Sequence, residues 1–274
     1  MLLNAKTRKI ILSFPFAREV TNIYVNYKNK KFYKKIDQEN NFSNKIKGLR
    51  KEEKNKRCFI VGSGPSLTIE QLEKIKNEVS FGSNRIYKMF DKTSWRPKYY
   101  VIQDAYDSTP KENYEKLNVR YLFVSDYYWR ENGMLNKNAI CFHTVRSLKQ
   151  KKDIPFSNDV SNVIHTASTV TYTMIQIAAY LGFKEIYLIG MDHTYANETN
   201  DKGKIIKKNN IKSHVFKDEK PQEVVANISY MEDAYKSAKN YCDKNGIKIY
   251  NATIGGKLEV FERIDFWSLF KKQG

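Results

Sequence analysis

The sequence predicts an α/β fold: a mostly parallel sheet with helices on both faces, preceded by a basic N-terminal helical segment. Three observations predict it. From Cys58 onward short apolar runs alternate with longer helical patterns, as in a parallel sheet whose crossovers are helices. Two of those helical patterns end at Gly182 and Gly246, each placed to cap its helix before the next strand. The 274 residues, 41% hydrophobic and 14% aromatic, can bury one large α/β domain or two small ones.

Residues 1–50 form the N-terminal segment. After Pro15, apolar side chains fall at Phe16, Val20, Ile23, Tyr24 and Tyr27, which is helical spacing with the proline near the first turn. Basic residues follow in "YKNKKFYKK". The segment reads either as a basic amphipathic helix lying on anionic lipid or as a helix packed on the main domain, and packing is the favoured reading. "KGLRKEEKNKR" (Lys47 to Arg57) has no apolar period and reads as a linker.

Residues 51–274 form the main domain. "CFIVG", "VSFGS", "YYVIQD", "YLFVSD", "AICFH", "EIYLIGMD" and "IKIYNAT" read as strands. "TIEQLEKIKN", "TASTVTYTMIQIAAYLG" and "PQEVVANISYMEDAYKSAKNYCDKNG" read as helices. The stretch from His193 to Lys220 lacks periodicity and is long for a connection, which marks it as a functional lid or a disordered loop.

The chain carries 48 Lys+Arg against 30 Asp+Glu, a net charge of +18. Polyanions, phosphorylated substrates and an anionic membrane surface are the partners such a balance suits. A general richness in Lys, Asn and Ile gives the same charge through codon usage, so charge alone does not argue for nucleic acid. The three cysteines, Cys58, Cys141 and Cys242, are far apart and form no CxxC pair, which fits reduced thiols and no zinc site. No run approaches a membrane span, and "IILSFPFA" is short, broken by Pro15 and without an A-x-A-like cleavage site. The expected location is the cytoplasm, with peripheral attachment to the inner face of the membrane as the alternative. A homo-oligomer is compatible with the sequence.

In an open parallel sheet, ligands bind beyond the carboxyl ends of the strands. The first strand ends in Gly62-Ser63-Gly64-Pro65-Ser66, where glycines let backbone N–H groups approach an anion. The turn lacks the third glycine of a dinucleotide fingerprint and the Gly-Lys-Ser/Thr of a P-loop. Thr68 and Gln71 form a capping box that would explain it structurally. Other polar ends are Asn84, Gln103, Asp104, Asp107, Ser125, Asp126, Asp192 and His193. Thr166, Ser168 and Thr169 open a helix pattern, and N-capping would account for one of them but not all three. This mixture of hydroxyl, amide and carboxylate suits a ligand with sugar hydroxyls and phosphate. The carboxylates Asp104, Asp107, Asp126 and Asp192 are not spaced as a clear metal site, and no DxD-type motif occurs.

"CFIVGSGPSL" with "GSNR" and "TASTVTYTMIQIAAYLGFKEIYLIGMDHTY" resembles the sialyltransferases of glycosyltransferase family 42. Still more it resembles the domains similar to archaeal 6-hydroxymethylpterin diphosphokinase, which include the central domain of motility accessory factors. The resemblance covers roughly residues 57 to 266 and closes on "GIKIYNATIGGKLEVFERIDF". It implies a Rossmann-like fold and a site for the CMP part of a donor at Gly62, Ser63, Gly64 and Ser66. Ser63 stands where that family has Asn. The Asn of the second strand end maps to Asn84, and the Thr-Ser pair maps near Thr166 and Ser168, interrupted by Ala167. A loop histidine serves those transferases as base, which implies His214, with His193 in the same interval. Their phosphate-binding tyrosine maps nearest to Tyr195, shifted by one position. Gln103, Asp104 and Asp192 complete the expected nucleotide site.

The implied activity is inverting transfer of a CMP-linked, sialic acid-like sugar to a cell-surface glycan, glycolipid or protein, with no metal or other cofactor. An imidazole, with an ordinary pKa near 6.5, suits removal of the acceptor proton. Two other readings stand beside it: an ATP- and Mg²⁺-dependent diphosphotransferase, in which Asp104 and Asp107 would matter more than His214, and a non-catalytic nucleotide-binding domain.

Overall fold

The computed structural model of the chain describes residues 15–104, 111–115, 117–133, 135, 138–146, 154–199, 205–207, 214–216 and 225–271. Eight strands form one sheet. In chain order they are β1 (Arg57–Val61), β2 (Ser80–Ser83), β3 (Tyr99–Ile102), β4 (Tyr121–Ser125), β5 (Ala139–Phe142), β8 (Glu185–Ile189), β11 (Lys248–Asn251) and β12 (Glu262–Arg263). Two short strands, β6 (Thr144–Arg146) and β7 (Ile164–Thr166), pair as a separate parallel ribbon just beyond β5. Two more, β9 (Asn197–Thr199) and β10 (Ile205–Lys207), pair antiparallel. The seven strands read from the sequence are all present, and every pairing in the main sheet is parallel.

The sheet order is β12-β11-β8-β1-β2-β3-β4-β5. The chain winds outward from β1 to β5, then returns to lay β8 on the other side of β1. The switch point of this Rossmann-like sheet is therefore the gap between the carboxyl ends of β1 and β8. Aromatic side chains in register lock the strands laterally. Phe59, Tyr187 and Tyr250 stack across β1, β8 and β11 at 5.4 and 5.3 Å. Phe81, Tyr99 and Tyr121 stack across β2, β3 and β4 at 4.8 and 5.2 Å. The parallel register places these rings side by side, and a stacked pair adds about 0.5–1.5 kcal/mol to the area it buries.

The helices are α1 (Pro15–Asn40), α2 (Phe42–Gly48), α3 (Ile69–Lys74), α4 (Lys111–Glu115), α5 (Asp126–Asn132), α6 (Val170–Leu181) and α7 (Ile228–Lys244). α3 begins at the expected capping box: Gln71 N donates to Thr68 Oγ1 at 3.2 Å, and Thr68 N donates to Gln71 Oε1 at 3.1 Å. α6 ends at Gly182 and α7 just before Gly246, both in the left-handed region that glycine adopts without strain.

The N-terminal segment contributes to the core. Tyr33, Ile36, Phe42 and Ile46 are buried with the sheet residues. Lys47–Arg57, expected as a linker, joins the end of α2 to β1 through a run of turns over residues 49–55, fastened to the end of α6. Glu53 N donates to Leu181 O at 2.9 Å, and Asn55 N to Gly182 O at 3.0 Å. The Glu53 side chain is fully buried. Burial pushes its carboxyl up, but hydrogen bonds from Lys98, Lys56 and Tyr99 outweigh that and hold it below its ordinary pKa. The segment lacks an apolar period because its anchor is a charge network rather than an apolar face. Among the described residues no helix is long and apolar enough to cross a membrane.

Candidate functional site

The switch-point crevice is built by two interlocked turns. Gly62 N donates to Ile189 O at 2.8 Å, and Gly64 N donates to Gly190 O at 2.9 Å. A Cβ on Gly64 would lie 2.6 Å from Gly190 O and 2.7 Å from Asp192 Cγ. Glycine is needed here because the extension of β8 crosses the turn, not because a ligand does. Ser66 belongs to the same lock: its Oγ donates to Asp192 Oδ2 at 2.7 Å and its backbone N–H to Oδ1 at 3.2 Å. The expected anion cradle thus already holds a carboxylate. Burial pushes the Asp192 pKa up, against the Ser66 hydrogen bonds that favour its ionised form.

Beyond Asp192 the chain packs against the aromatic and acidic side chains of α7. His193 adopts a left-handed φ of 54°, which costs a non-glycine residue energy and turns its ring inward. The ring meets Tyr195 and Tyr235 edge-on at 5.8 and 5.9 Å. Its Nε2 is buried with no hydrogen-bond partner among the described residues and lies 3.6 Å from Glu232 Oε1. Burial lowers the His193 pKa, and Glu232 opposes the shift in part. Tyr195 is pushed well above its ordinary pKa by burial, with Tyr235 and Asp192 adding to the effect.

His214 comes over the turn from the far side. Its Nδ1 lies 3.1 Å from Ser63 Oγ, and Val215 N donates to Ser63 O at 2.8 Å. Phe216 stacks on the His214 ring at 5.3 Å, beneath Arg85 and Lys88 at 5.6 and 5.5 Å. This stretch lies in the interval expected to be a lid or a disordered loop. The described part also holds the β9–β10 ribbon, which the lack of periodicity concealed because its strands have three residues each.

The structure therefore gathers Gly62, Ser63, Gly64, Ser66, Asp192, His193, Tyr195 and His214 at one crevice. Asn84 sits beside it at the end of β2 with a left-handed φ of 49°, its carbonyl accepting from the Tyr100 hydroxyl. Gln103 is committed elsewhere: its side-chain oxygen accepts from Thr173 on α6, and its carbonyl accepts from Ser125 Oγ at 2.6 Å. Asp104 is exposed at the end of β3, two strands from β1. Asp107 lies outside the described residues. Thr166 is in β7, opposite Arg146, and α6 opens four residues later than the pattern suggested. Its N-cap is Thr169, whose Oγ1 accepts from Thr171 N at 3.3 Å. Ser168 is exposed just before the cap, at a φ of 57°. Asp126 is structural, buried with its Oδ2 2.6 Å from His143 Nδ1 and its Oδ1 accepting from Thr144.

Sequence reading missed Glu232, Tyr235 and Phe216. Glu232 and Tyr235 lie on α7, far from the crevice in sequence, and their one signal is a spacing of three that puts them on one helix face. Among the described residues no group of three or more His, Cys, Asp or Glu could hold a metal ion.

A family model described as 6-hydroxymethylpterin diphosphokinase MptE-like matches residues 26–198. The match takes in both interlocked turns and ends before His214. Among solved structures the chain is similar to the MAf glycosyltransferase from Magnetospirillum magneticum AMB-1, at 18% identity and a TM-score of 0.50, over 82% of this chain and 36% of that one. It thus spans little more than a third of that protein. It is also similar to the sialyltransferase CstII from Campylobacter jejuni, solved with the substrate analogue cytidine-5'-monophosphate, at 17% identity and a TM-score of 0.36, over 77% of this chain and 85% of that one. No curated protein matches the chain. At these identities the likeness to the solved structures is one of fold. With more than half of its length matched, the chain belongs to the 6-hydroxymethylpterin diphosphokinase MptE-like family.

Proposed function

We propose that the chain is a glycosyltransferase that moves a CMP-linked sugar, sialic acid-like or a related acidic sugar, onto a cell-surface glycan, glycolipid or protein. The observation that carries this reading is the His214 ring, 3.1 Å from Ser63 Oγ at the mouth of the switch-point crevice. The fold shared with a glycosyltransferase supports it by analogy only.

The chemistry is a single displacement. An oxygen of the acceptor attacks the anomeric carbon, the bond from that carbon to the phosphate oxygen breaks, and CMP leaves with the electron pair. The configuration inverts. His214 takes the acceptor proton as general base. The N–H groups of Gly62, Gly64 and Ser66 are already committed to Ile189, Gly190 and Asp192. The departing phosphate is therefore assigned to the N-terminus of α6, beside Ser168, where the helix supplies partial positive charge. The reaction in this form needs no metal.

The family description favours a second reading, ATP- and Mg²⁺-dependent diphosphotransfer. The described carboxylates do not form a cation cradle by themselves, so the metal would arrive with the nucleotide. A thermal-shift screen separates the two. CMP or CDP raising the melting temperature in EDTA is the expected result, because a ligand that binds only the folded form stabilises it. Stabilisation by ATP only with Mg²⁺ would overturn the transferase reading, and a response to no nucleotide would overturn both.

A further inference from the structure

The face of α1 turned away from the protein carries apolar side chains that nothing in the described structure covers. Val20, Ile23, Tyr24 and Tyr27 are 64%, 59%, 55% and 64% exposed. They fall at i, i+3, i+4 and i+7 and so form one stripe. The docked face lies on the other side of the same helix. Asn26 accepts from Arg146 N at 2.9 Å, Arg130 donates to Asn29 Oδ1 at 2.7 Å, and Tyr33 stacks on His143 at 5.3 Å. The helix thus has one docked face and, opposite it, one bare apolar face.

From Val20 to Ile36 the helix has five lysines, Lys28, Lys30, Lys31, Lys34 and Lys35, and no Asp or Glu. The lysines are exposed and continue the line of the bare stripe. Lys28 Nζ lies 4.9 Å from the centre of the Tyr24 ring. An apolar and tyrosine-rich half followed by a cationic half matches the boundary of an anionic bilayer. Tyrosine rings sit at headgroup depth, and ammonium groups at the tips of long stems meet lipid phosphates. Following α1 back from Tyr33 to Asn26 follows the chain from the end of β5 into β6. The stripe therefore lies beyond the carboxyl end of the sheet, at its β5 edge.

We propose that α1 docks the protein on an anionic membrane surface, with Val20, Ile23, Tyr24 and Tyr27 in the interface and the lysines on the headgroups. This docking is independent of the reaction assigned to the crevice. The test is flotation of the full chain with vesicles of phosphatidylglycerol and phosphatidylcholine in equal parts, against phosphatidylcholine alone. The full chain floats with the anionic vesicles, and added salt weakens the binding. V20S/I23S/Y27S weakens it, and K30E/K31E/K34E weakens it roughly tenfold or more, while both variants keep the wild-type melting temperature. Equal flotation with both vesicle types, or no flotation, overturns the proposal. So does a dimer in light scattering that V20S/I23S/Y27S dissociates, because the stripe would then be covered by a second copy.

Discussion

Ser66 donates its hydroxyl to the Asp192 carboxylate across 2.7 Å, tying the turn after β1 to the turn after β8. These are the two strands between which the winding of the sheet reverses. The bond sets the floor of the crevice and occupies the position in which a glycine turn would otherwise hold an anion. It also makes the Gly62–Ser66 turn part of the fold as much as part of the site.

Gly64→Ala tests that interlock. The new methyl group would press on Gly190 O and on the Asp192 carboxyl group. The expected loss of stability is roughly 1–3 kcal/mol, the usual cost of overpacking. Urea denaturation reads it as a lower midpoint. A midpoint equal to that of the wild type would contradict the close approach of the two turns.

Asp192→Asn tests the buried charge. Burial raises the Asp192 pKa in the folded state, so the folded chain holds this proton to higher pH than the unfolded chain does. Between those two values folding binds a proton, and the contribution of Asp192 to stability falls as pH rises. The amide oxygen of asparagine can still accept from Ser66, and it does not titrate. The stability of the variant relative to wild type should therefore rise with pH across the acid range and level off above it. A difference that is flat or falls with pH would count against a desolvated carboxylate.

A chain beginning at residue 51 tests what the N-terminal segment does for the core. It loses Tyr33, Ile36, Phe42 and Ile46, all buried against the sheet. Losing one large core side chain costs about 2–5 kcal/mol, so this chain should show no cooperative melting. A chain beginning at residue 25 keeps all four and should melt cooperatively. Melting of the shorter chain like the full one would make the segment an independent appendage.

The two histidines are separated by kinetics. His214→Ala should lower single-turnover transfer by roughly 10²- to 10⁴-fold, with donor affinity little changed, because a base contacts the acceptor. His193→Ala should act mainly on binding, since its ring is packed between Tyr195 and Tyr235. A rate loss in the His193 variant alone would transfer the role, and its Nε2, which has no hydrogen-bond partner among the described residues, is the group that would take it. Full activity in both would move the chemistry to the carboxylates.

The seven main strands were legible because each is a short apolar run ended by a turn, and a parallel interior strand has no exposed face to interrupt it. The capping box and the two glycine caps were legible because they are local. The polar strand ends were visible, but their partners were not. Gln103, Ser125 and Asp126 read as ligand-facing, yet they bond to Thr173, to Gln103 and to His143, contacts made only when distant segments meet. The same holds for Ser66, whose partner is 126 residues away. The hydroxyls from Thr166 to Thr169 read as a helix start, whereas Thr169 alone provides the cap.

The most direct measurement is hydrogen–deuterium exchange of the full chain with and without CMP in EDTA. If the switch-point crevice holds the nucleotide, amides in residues 62–66, 168–171 and 190–195 gain protection on CMP addition, and those on α1 do not. Protection confined to another cavity, such as the one lined by Asn251, Thr253, Arg263 and Phe266, or no protection at saturating CMP, would contradict the site.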